Sequence, residues 1–407
     1  MTSPATAAVM AALAVNGSMP RFVGGCVRDA VLGWKVKDID IATEEEPETV
    51  ITALEAAGIK AVPTGIDHGT VTAVTQGAHF EITTLRHDVE TFGRRARVAF
   101  TDDWVADAAR RDFTINALFC DADGTLYDPT GGLEDLREGR VCFVGAATER
   151  IGEDVLRLLR FFRIHAHYGI PPPDAEAIEA CRAMADRLDT LSAERVWSEL
   201  CRLLEAPNPA QVLRLMDDLG VLAHLLPEAS DNARLAALTG IEAETALPDG
   251  LPDALRRLVA VLEADEGGAR DIAKRLRLSN AERDRLVALV APEADVTPAL
   301  DDPSRRLALF RTGAEGFADL ALIGWAGEAA AGKAVDAAGW RGLLAIASDW
   351  QVPVLPVSGA DVLALSVPRG AEIGKHLRAV ELWWIKADFK PGRDKCLKKL
   401  KALVGSG

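Results

Sequence analysis

The stretch Val23-Gly24-Gly25-Cys26-Val27-Arg28-Asp29 and, a few residues later, Lys37-Asp38-Ile39-Asp40 decide the fold of this chain. Together they place a glycine turn, an arginine and two carboxylates in one short window. Glycines let backbone amides approach phosphate oxygens, and a helix that begins after them offers free N–H groups and the positive end of its dipole. The guanidinium of Arg28 can add a forked, charge-assisted contact to such phosphates.

Asp38 and Asp40 stand two residues apart, so on a β-strand their side chains point to the same face. There they can share Mg²⁺, a hard ion that prefers carboxylate and phosphate oxygens. Alone, a Gly-Gly pair is usually a plain turn, and an Asp-x-Asp is usually a solvated strand edge. In this order, the elements favour a metal-dependent enzyme that handles a nucleoside triphosphate.

Composition and charge bound the class of protein. A chain of 407 residues is too long for one core, and 49% hydrophobic with 26% charged residues is typical of a folded soluble protein. The net charge of −15 looks wrong for a nucleic-acid binder, yet residues 366–407 carry ten Lys/Arg against four Asp/Glu, a local excess of six. A basic tail is compatible with a polyanionic partner, although a merely solvated basic helix gives the same pattern.

The six cysteines show no CxxC and no metal-ligand spacing. Several lie in apolar segments, as buried free thiols do in a reducing compartment. The sequence shows no signal-peptide pattern and no apolar run long enough to span a membrane. We therefore expect a cytoplasmic protein that does not contact a membrane, and the sequence predicts no protein partner.

The hydrophobic pattern changes once along the chain. Up to residue 145, helical stretches such as 46–57 alternate with short β-like runs at 39–42, 70–74, 80–84 and 140–144. From about residue 151, apolar residues recur every three or four positions, which is typical of amphipathic helices. The pattern predicts a small mixed α/β head (1–145), a helical neck (146–205), a helical body (206–350) and a helical tail (351–407).

A second constellation is Ala109-Arg110-Arg111-Asp112-Phe113-Thr114-Ile115-Asn116-Ala117. Two adjacent arginines followed by an acid suggest an oriented guanidinium that faces phosphate, with apolar residues anchoring the segment in the core. A structural ion pair that caps a buried helix explains the same pattern.

A third constellation runs from Glu153 to Arg163, where Asp154, Arg157, Arg160 and Arg163 recur every three residues among Leu, Phe and Val. On a helix, consecutive members share a face. The pairing edges of cytosine and adenine both offer an amino donor beside a ring-nitrogen acceptor. Asp154 can accept from the amino group while Arg157 donates to the ring nitrogen. Guanine and uracil have the opposite polarity and would leave buried groups unpaired. An ordinary helix-surface salt bridge is the alternative.

These motifs resemble one family. In chain order they are GGCVRD (24–29), DID (38–40), RRDFTINA (110–117), DPTGGLEDL (128–136) and EDVLRLLRFFR (153–163). They resemble the class II tRNA nucleotidyltransferases and bacterial poly(A) polymerases, within the polymerase-beta-like superfamily. The resemblance is dense over about the first 205 residues, including LSAERVW (191–197), and looser as far as Ser358-Gly359-Ala360-Asp361. It implies an α+β fold with a polymerase-beta-like nucleotidyltransferase head and an all-α body and tail.

The resemblance also implies roles in the head. Asp38 and Asp40 would be catalytic and hold the Mg²⁺ ions. Gly25 and Arg28 would contact the triphosphate, with Arg111 assisting.

In the neck, Asp154 and Arg157 would read the incoming base in place of a nucleic-acid template, while Arg160 and Arg163 support that pocket and the phosphates. Glu81, on a predicted neighbouring strand, is the candidate third carboxylate. A structural pair with Arg86 is the alternative for Glu81.

Two segments favour one branch of the family. Residues 64–71, Thr-Gly-Ile-Asp-His-Gly-Thr-Val, resemble the CCA-adding branch, and the Arg-Arg-Phe pattern of the poly(A) polymerases is not found there. Residues 86–97 resemble the flexible loop of enzymes that complete the terminal adenosine. The family often has an acid before the loop glycine, where this chain has Phe92.

We therefore expect template-independent addition of C, C and A to the 3′ end of tRNA from CTP and ATP, with release of pyrophosphate by a two-metal mechanism. The helical body and basic tail would hold the acceptor half of the tRNA. A poly(A) polymerase is the nearest alternative, and an RNA-binding module with an inactive head is another. The only adjacent His-Asp pair, His87-Asp88, falls in the head, so an additional phosphohydrolase activity is not expected.

Overall fold

The computed structural model describes residues 1–92, 95–230, 232–245 and 252–405; of residues 88–98 it describes no side chain. The chain divides into two compact units, Met1–Ala229 and Ser230–Gly407. All strands of the described chain lie in the first unit, and the second unit is helical, which confirms the predicted α+β class. The finer division into head, neck, body and tail stays a prediction.

The first unit contains a seven-stranded mixed sheet with the strand order β3-β4-β5-β2-β1-β8-β9, and β6 and β7 form a separate two-stranded ladder. Only β2 and β5 run parallel to each other within the large sheet. The strands are β1 (Arg21–Val23), β2 (Ile39–Thr43), β3 (Lys60–Gly65), β4 (Thr70–Thr75), β5 (Ala78–Thr84), β6 (Arg86–Phe92), β7 (Arg95–Phe100), β8 (Phe119–Cys120) and β9 (Leu126–Tyr127).

The first unit also contains helices, a few of which pack against the sheet while others follow it along the chain. They are α1 (Pro4–Leu13), α2 (Gly25–Val31), α3 (Pro47–Ala56), α4 (Trp104–Ala109), α5 (Gly132–Glu138), α6 (Ala147–Glu153), α7 (Leu156–Tyr168), α8 (Ala175–Ala183), α9 (Ala193–Leu204) and α10 (Pro209–Asp218). Short 3₁₀ helices cover Ile66–His68, Thr114–Asn116, Ala185–Thr190 and Leu222–His224. No described helix of either unit is long and apolar enough to cross a bilayer.

The predicted strands at 39–42, 70–74 and 80–84 are confirmed as β2, β4 and β5, but the strand predicted at 140–144 is wrong. The segment forms a single bridge, between Phe113 and Phe143. Its partner segment turns into the 3₁₀ helix Thr114–Asn116 immediately after that bridge, so no ladder can extend. The apolar run of four residues at 141–144 does not by itself reveal that its partner segment is too short to form a ladder.

The loop predicted at 86–97 is largely a hairpin. The backbones of β6 and β7 pair in an antiparallel register from Arg86 opposite Phe100 to Phe92 opposite Arg95. The resemblance to the loop rested on Gly93-Arg94-Arg95; Gly93 and Arg94 lie outside the described residues, and so do the side chains of Phe92 and Arg95.

One close backbone contact holds the 3₁₀ helix Thr114–Asn116 in place. A Cβ atom on Gly132 would lie 2.1 Å from the carbonyl oxygen of Thr114, so only glycine fits there. Asp128 accepts hydrogen bonds from the backbone N–H groups of Gly132 (2.8 Å) and Leu133 (2.9 Å) and so fixes the start of α5. The DPTGG motif therefore positions the segment that carries Asn116.

Helix α7 packs against the segments that carry Phe113 and Phe143 through aromatic side chains. The ring of Phe161 lies 5.9 Å from that of Phe143, and Phe143 in turn lies 4.8 Å from Phe113. All three side chains are buried. Because aromatic side chains bury large apolar areas, this stack fixes the rotation of α7 and turns its charged face away from the core.

The second unit consists of helices with two buried regions. The helices are α11 (Ala233–Glu244), α12 (Ala254–Val261), α13 (Glu266–Arg275), α14 (Asn280–Val290), α15 (Asp302–Ala330), α16 (Ala337–Ser348), α17 (Gly359–Leu363), α18 (Ala371–Lys386) and α19 (Arg393–Gly405). Helix α15 is kinked at Gly313, whose φ is 72°. Helices α17 to α19 enclose their own apolar cluster around Val380, Trp384 and Leu400.

A buried ion network joins the helices of the second unit. The carboxylate of Asp319, which is 1% exposed, accepts from Arg256 Nη1 (2.9 Å) and Arg285 Nη2 (2.6 Å). Arg256 and Arg257 both bind Glu242, at 2.7 Å each. Removal of one partner from such a network leaves an uncompensated buried charge, which costs more than the pair contributes.

We expect Asp319→Asn to lower the free energy of unfolding by about 3 kcal/mol, because two arginines lose their shared counter-charge. Urea denaturation followed by tryptophan fluorescence measures this, since Trp325, Trp340, Trp350, Trp383 and Trp384 all lie in the second unit. The control is Glu315→Gln, because Glu315 contacts Arg285 at 3.4 Å but is 78% exposed; it should change stability by less than about 0.5 kcal/mol. Equal effects of the two substitutions would contradict the importance of the buried network.

Candidate active site

A cavity of about 510 Å³ lies in the first unit beside the glycine turn, β2 and α7. Of the residues singled out from the sequence, it brings together Gly25, Arg28, Asp40, Arg111, Asp154, Arg157, Arg160 and Arg163. Its other lining residues are Gly24, Arg110, Asp112, Asn116, Leu156, Ile164, Arg195 and Arg202. Asp38 and Glu81 are not among the lining residues.

The three predicted carboxylates lie near one another. Asp40 and Glu81 occupy opposite positions of the parallel strands β2 and β5, and Asp38 lies one residue before β2. Burial raises the pKa of Asp40, and repulsion from Glu81 and Asp38 raises it further, to about 6, although Arg111 opposes the shift. Of the three carboxylates that line the cavity, Asp112 and Asp154 form ion pairs with arginines, whereas Asp40 forms none with the described residues.

These acids fit a hard divalent ion. Among the residues that the structure describes, no group of three or more His, Cys, Asp and Glu side chains forms a complete ligand set. Mg²⁺ is usually held by one or two carboxylates, with water and substrate phosphate oxygens supplying the other ligands. A pair of aspartates whose negative charges repel each other suits that mode of binding, with Glu81 as a neighbouring acid.

The glycine turn and Arg28 form the wall next to β2. Gly24 precedes α2 with φ 73° and ψ −129°, and this positive φ favours glycine. The buried guanidinium of Arg28 donates to Asn116 Oδ1 and to the hydroxyl of Tyr168, both at 2.5 Å. Its Nε donates to Asp29 Oδ1 at 2.9 Å. Arg28 is thus held in one orientation at the cavity wall.

The two adjacent arginines share one buried acid. Asp107, at 1% exposure, accepts from Arg110 Nε and Arg111 Nη2, at 2.8 Å each. The structural ion pair expected as an alternative is therefore present. It does not exclude a role at the cavity, because Arg111 also lines it and would lie 3.5 Å from a Cβ atom on Gly24. Asp107 orients the guanidinium towards the glycine turn.

Asp154 differs from its predicted setting. It has φ −147° and ψ 108° and lies between α6 and α7, so the single helix predicted from Asp154 to Arg163 is wrong at its first residues. The carboxylate accepts from the backbone N–H of Leu156 (3.1 Å), an interaction that caps the start of α7. An Asp side chain that hydrogen-bonds a nearby backbone N–H favours a non-helical conformation at its own position. The three-residue spacing of the charged residues in the sequence does not show that Asp154 does so.

Arg157, Arg160 and Arg163 do lie on α7, and each is paired with an acid. Arg157 binds Glu153, Arg160 binds Asp112, and Arg163 Nε donates to Glu199 Oε2 at 2.6 Å. Burial alone would raise the pKa of Asp112, but Arg160 and hydrogen bonds from Asn116 and the Phe113 N–H lower it to about 2.

The sequence analysis missed the role of Arg195. Its guanidinium forms a two-pronged pair with Asp154, with Nη1 at 3.2 Å from Oδ1 and Nη2 at 2.6 Å from Oδ2. The two residues are 41 positions apart, so no local pattern joins them. The sequence of α9 itself carries a signal, because Arg195, Glu199 and Arg202 recur at intervals of four and three on a helix whose opposite face is apolar.

The cavity is suited to a nucleotide. Eight arginines and three aspartates line it, which gives a positive surface for phosphates. At one side of the cavity lies the carboxylate of Asp40, unpaired among the described residues, and beside α7 the carboxylate of Asp154 is an acceptor close to the guanidinium donors of Arg157. Such an arrangement can bind a nucleoside triphosphate and hold its α-phosphate near a cation.

Comparisons with known proteins agree with this geometry. Residues 20–142 match the family described as "Poly A polymerase head domain", and residues 173–232 match "Probable RNA and SrmB- binding site of polymerase A". The mouse mitochondrial CCA tRNA nucleotidyltransferase 1 is 35% identical over 387 residues, which cover 94% of this chain and 86% of that protein.

Bacterial relatives match as well. The CCA-adding enzyme of Geobacillus kaustophilus is 38% identical over 212 residues, 52% of this chain and 51% of that enzyme. The crystal structure of the Bacillus stearothermophilus CCA-adding enzyme in complex with CTP superposes with a TM-score of 0.77. It is 27% identical and aligns with 100% of this chain and 99% of that one.

We expect Arg195→Gln to weaken CTP binding about tenfold, because Asp154 loses the charge-assisted pair that fixes its orientation. Isothermal titration calorimetry with CTP measures the change. The control is Arg182→Gln, since Arg182 pairs with Glu179 on the exposed side of α8 and lines no part of the cavity. If Arg195→Gln binds CTP with wild-type affinity, CTP binding does not depend on the ion pair between Arg195 and Asp154.

Proposed function

The chain belongs to the CCA-adding tRNA nucleotidyltransferase family, and we propose that it adds C, C and A to the 3′ end of tRNA without a nucleic-acid template, using CTP and ATP and releasing pyrophosphate. The observation that supports this most is the arrangement of one cavity. Asp40 borders it beside the glycine turn, and the Asp154–Arg157 donor and acceptor pair borders it beside α7. A substrate with a triphosphate and a base satisfies both parts.

At the carboxylate end, Asp38 and Asp40 are proposed to hold divalent cations, Mg²⁺ by preference for oxygen ligands. When bound, such ions would supply positive charge that lowers the pKa of the RNA 3′ hydroxyl and neutralises the leaving pyrophosphate. The raised pKa of Asp40 indicates a carboxylate held close to other negative groups, which a cation would stabilise. No side chain needs to act as a strong general base.

Arg28 and Arg111 are proposed to bind the triphosphate beside Gly25. Both guanidiniums are fixed before substrate arrives, Arg28 by Asn116 and Tyr168, and Arg111 by Asp107. Fixed donors aimed at developing charge cost no reorganisation during the reaction, which makes them effective at stabilising a transition state.

Base choice is proposed to rest on Asp154 and Arg157. Cytosine and adenine present an amino donor next to a ring-nitrogen acceptor, whereas uracil and guanine present the reverse. Arg195 holds the carboxylate of Asp154, so the acceptor has a fixed direction. In the proposed pocket Arg160 and Arg163 are held by Asp112 and Glu199, and this keeps the face of α7 in position.

The tRNA is proposed to contact the basic tail as well as the head. Residues 366–407 carry the excess of six positive charges, and α18 and α19 supply most of them. The capping box of Ser358 and Asp361 starts α17, and Arg393 of α19 pairs with Asp361, so the tail forms its own folded surface. Such a surface suits recognition of RNA by its phosphates and its shape.

A cytoplasmic location of the protein stays a prediction.

We expect Asp40→Asn to lower the rate of nucleotide addition by about a hundredfold to a thousandfold, because a neutral amide holds a divalent ion poorly. Incorporation of radiolabelled CTP and ATP into tRNA lacking its terminal triplet measures the rate. Affinity for tRNA in a gel-shift assay should stay unchanged. The control is Asp102→Asn, which changes an exposed acid outside the cavity; near-normal turnover by Asp40→Asn would contradict the metal assignment.

CTP alone should extend a tRNA lacking its terminal triplet by two cytidines and then stop, and later addition of ATP should add one adenosine. Sequencing of the products measures both steps. A long run of adenosines from ATP, with no use of CTP, would favour a poly(A) polymerase. Binding of tRNA without pyrophosphate release would favour an RNA-binding module with an inactive head.

A further inference from the structure

Helix α9 presents a charged face to the cavity. Arg195, Glu199 and Arg202 follow at intervals of four and three, so they share one side of the helix, while Val196, Trp197 and Leu200 are buried on the other side. Arg195 binds Asp154, and Glu199 binds Arg163. Arg202 is the third member of this face and lines the cavity.

Arg202 differs from every other arginine of the cavity in its pairing. Seven of the eight lining arginines bind a carboxylate: Arg28, Arg110, Arg111, Arg157, Arg160, Arg163 and Arg195. Within the described part of the chain, the exposed side chain of Arg202 forms no ion pair and no hydrogen bond. Its guanidinium therefore keeps all its N–H donors for a ligand.

The surroundings of Arg202 are positively charged. Burial lowers the pKa of Arg163, and the neighbouring charges of Arg160 and Arg202 lower it further, against the opposing effect of Glu199. His167 contacts the Arg202 carbonyl oxygen at 2.8 Å, and its own pKa is lowered by burial and by Arg163 and Arg28. Like charges gathered at one end of a cavity repel one another, and a bound anion relieves that repulsion.

The end of the cavity that contains Arg163 and Arg202 lies away from Asp154 and Arg157, the pair proposed to read the base. Arg163 is six residues after Arg157 on α7, a separation of about 9 Å along the helix axis at the usual rise per residue. His167 and the Arg202 carbonyl lie beyond Arg163 in the same direction. A nucleotide whose base meets Asp154 and Arg157 can therefore direct its phosphates towards Arg28, Arg163 and Arg202.

We propose that Arg202 binds the terminal phosphates of the incoming nucleoside triphosphate. This inference rests on the proposed function for the identity of the nucleotide, but the contact itself is with polyphosphate. Because no described carboxylate is bonded to its guanidinium, Arg202 can form a two-pronged contact with phosphate oxygens without first breaking an ion pair. Its contribution should therefore depend on the number of phosphates and not on the base.

Calorimetric titration of the full-length protein with inorganic tripolyphosphate, CTP and CMP tests the proposal. In Arg202→Gln, the dissociation constants of tripolyphosphate and CTP should both rise about tenfold, while that of CMP stays unchanged. Arg202→Lys should recover part of the loss, since it keeps the charge but not the forked geometry. The control is Arg214→Gln on α10, where Arg214 is also exposed and lines no part of the cavity; it should bind all three ligands normally.

Three results would overturn the proposal. Unchanged binding of tripolyphosphate by Arg202→Gln would show that Arg202 makes no such contact. Weaker binding of tRNA with unchanged tripolyphosphate binding would assign Arg202 to an RNA phosphate. An equal loss for CMP and tripolyphosphate would indicate a general distortion of the cavity. If the wild-type protein binds tripolyphosphate through Arg202 but adds no nucleotide to tRNA, the proposed function fails while this contact stands.

Discussion

The structure depends on the pairing of arginines with carboxylates around one cavity. Eight arginines gathered in a small space would repel one another and move freely if they had no partners. Asp107, Asp112, Glu153 and Glu199 each hold at least one of them in a defined direction. Removing both partners of an ion pair from water costs free energy, so these pairs contribute little to the stability of the fold. Their main effect is to orient the guanidinium groups. What results is a positive surface whose donors are already in place.

Two groups at the cavity stand outside this pattern. Among the residues that the structure describes, no arginine forms an ion pair with Asp40, and burial together with the nearby Glu81 and Asp38 raises its pKa. Arg202 forms no ion pair with any described acid and lies near Arg163. Uncompensated charge is costly at half-buried Asp40, whereas the exposed guanidinium of Arg202 stays hydrated until an anion binds it. A cation at the first and a polyphosphate at the second would complete the charge balance, and a metal-bound nucleoside triphosphate supplies both.

Much of the head could be predicted from the sequence because its signals are local. Alternating apolar residues predicted β2, β4 and β5, and the motif residues on the glycine turn, Arg111 and α7 converge on one cavity. The errors arose where a distant partner decides the local structure. The bridge at Phe143 depends on a segment thirty residues earlier, and the break at Asp154 depends on its own capping side chain. The pair of Arg195 with Asp154 joins positions 41 residues apart, so the charged face of α9 could be seen in the sequence but its partner could not.

A crystal structure with Mg²⁺ and a non-hydrolysable CTP analogue tests the orientation of the substrate most directly. The α-phosphate should lie beside Asp38 and Asp40, and the pairing edge of cytosine should face Asp154 and Arg157. A ligand bound in the reverse direction, with its phosphates at Asp154 and its base near Asp40, would contradict both the metal site and the protein-based choice of nucleotide.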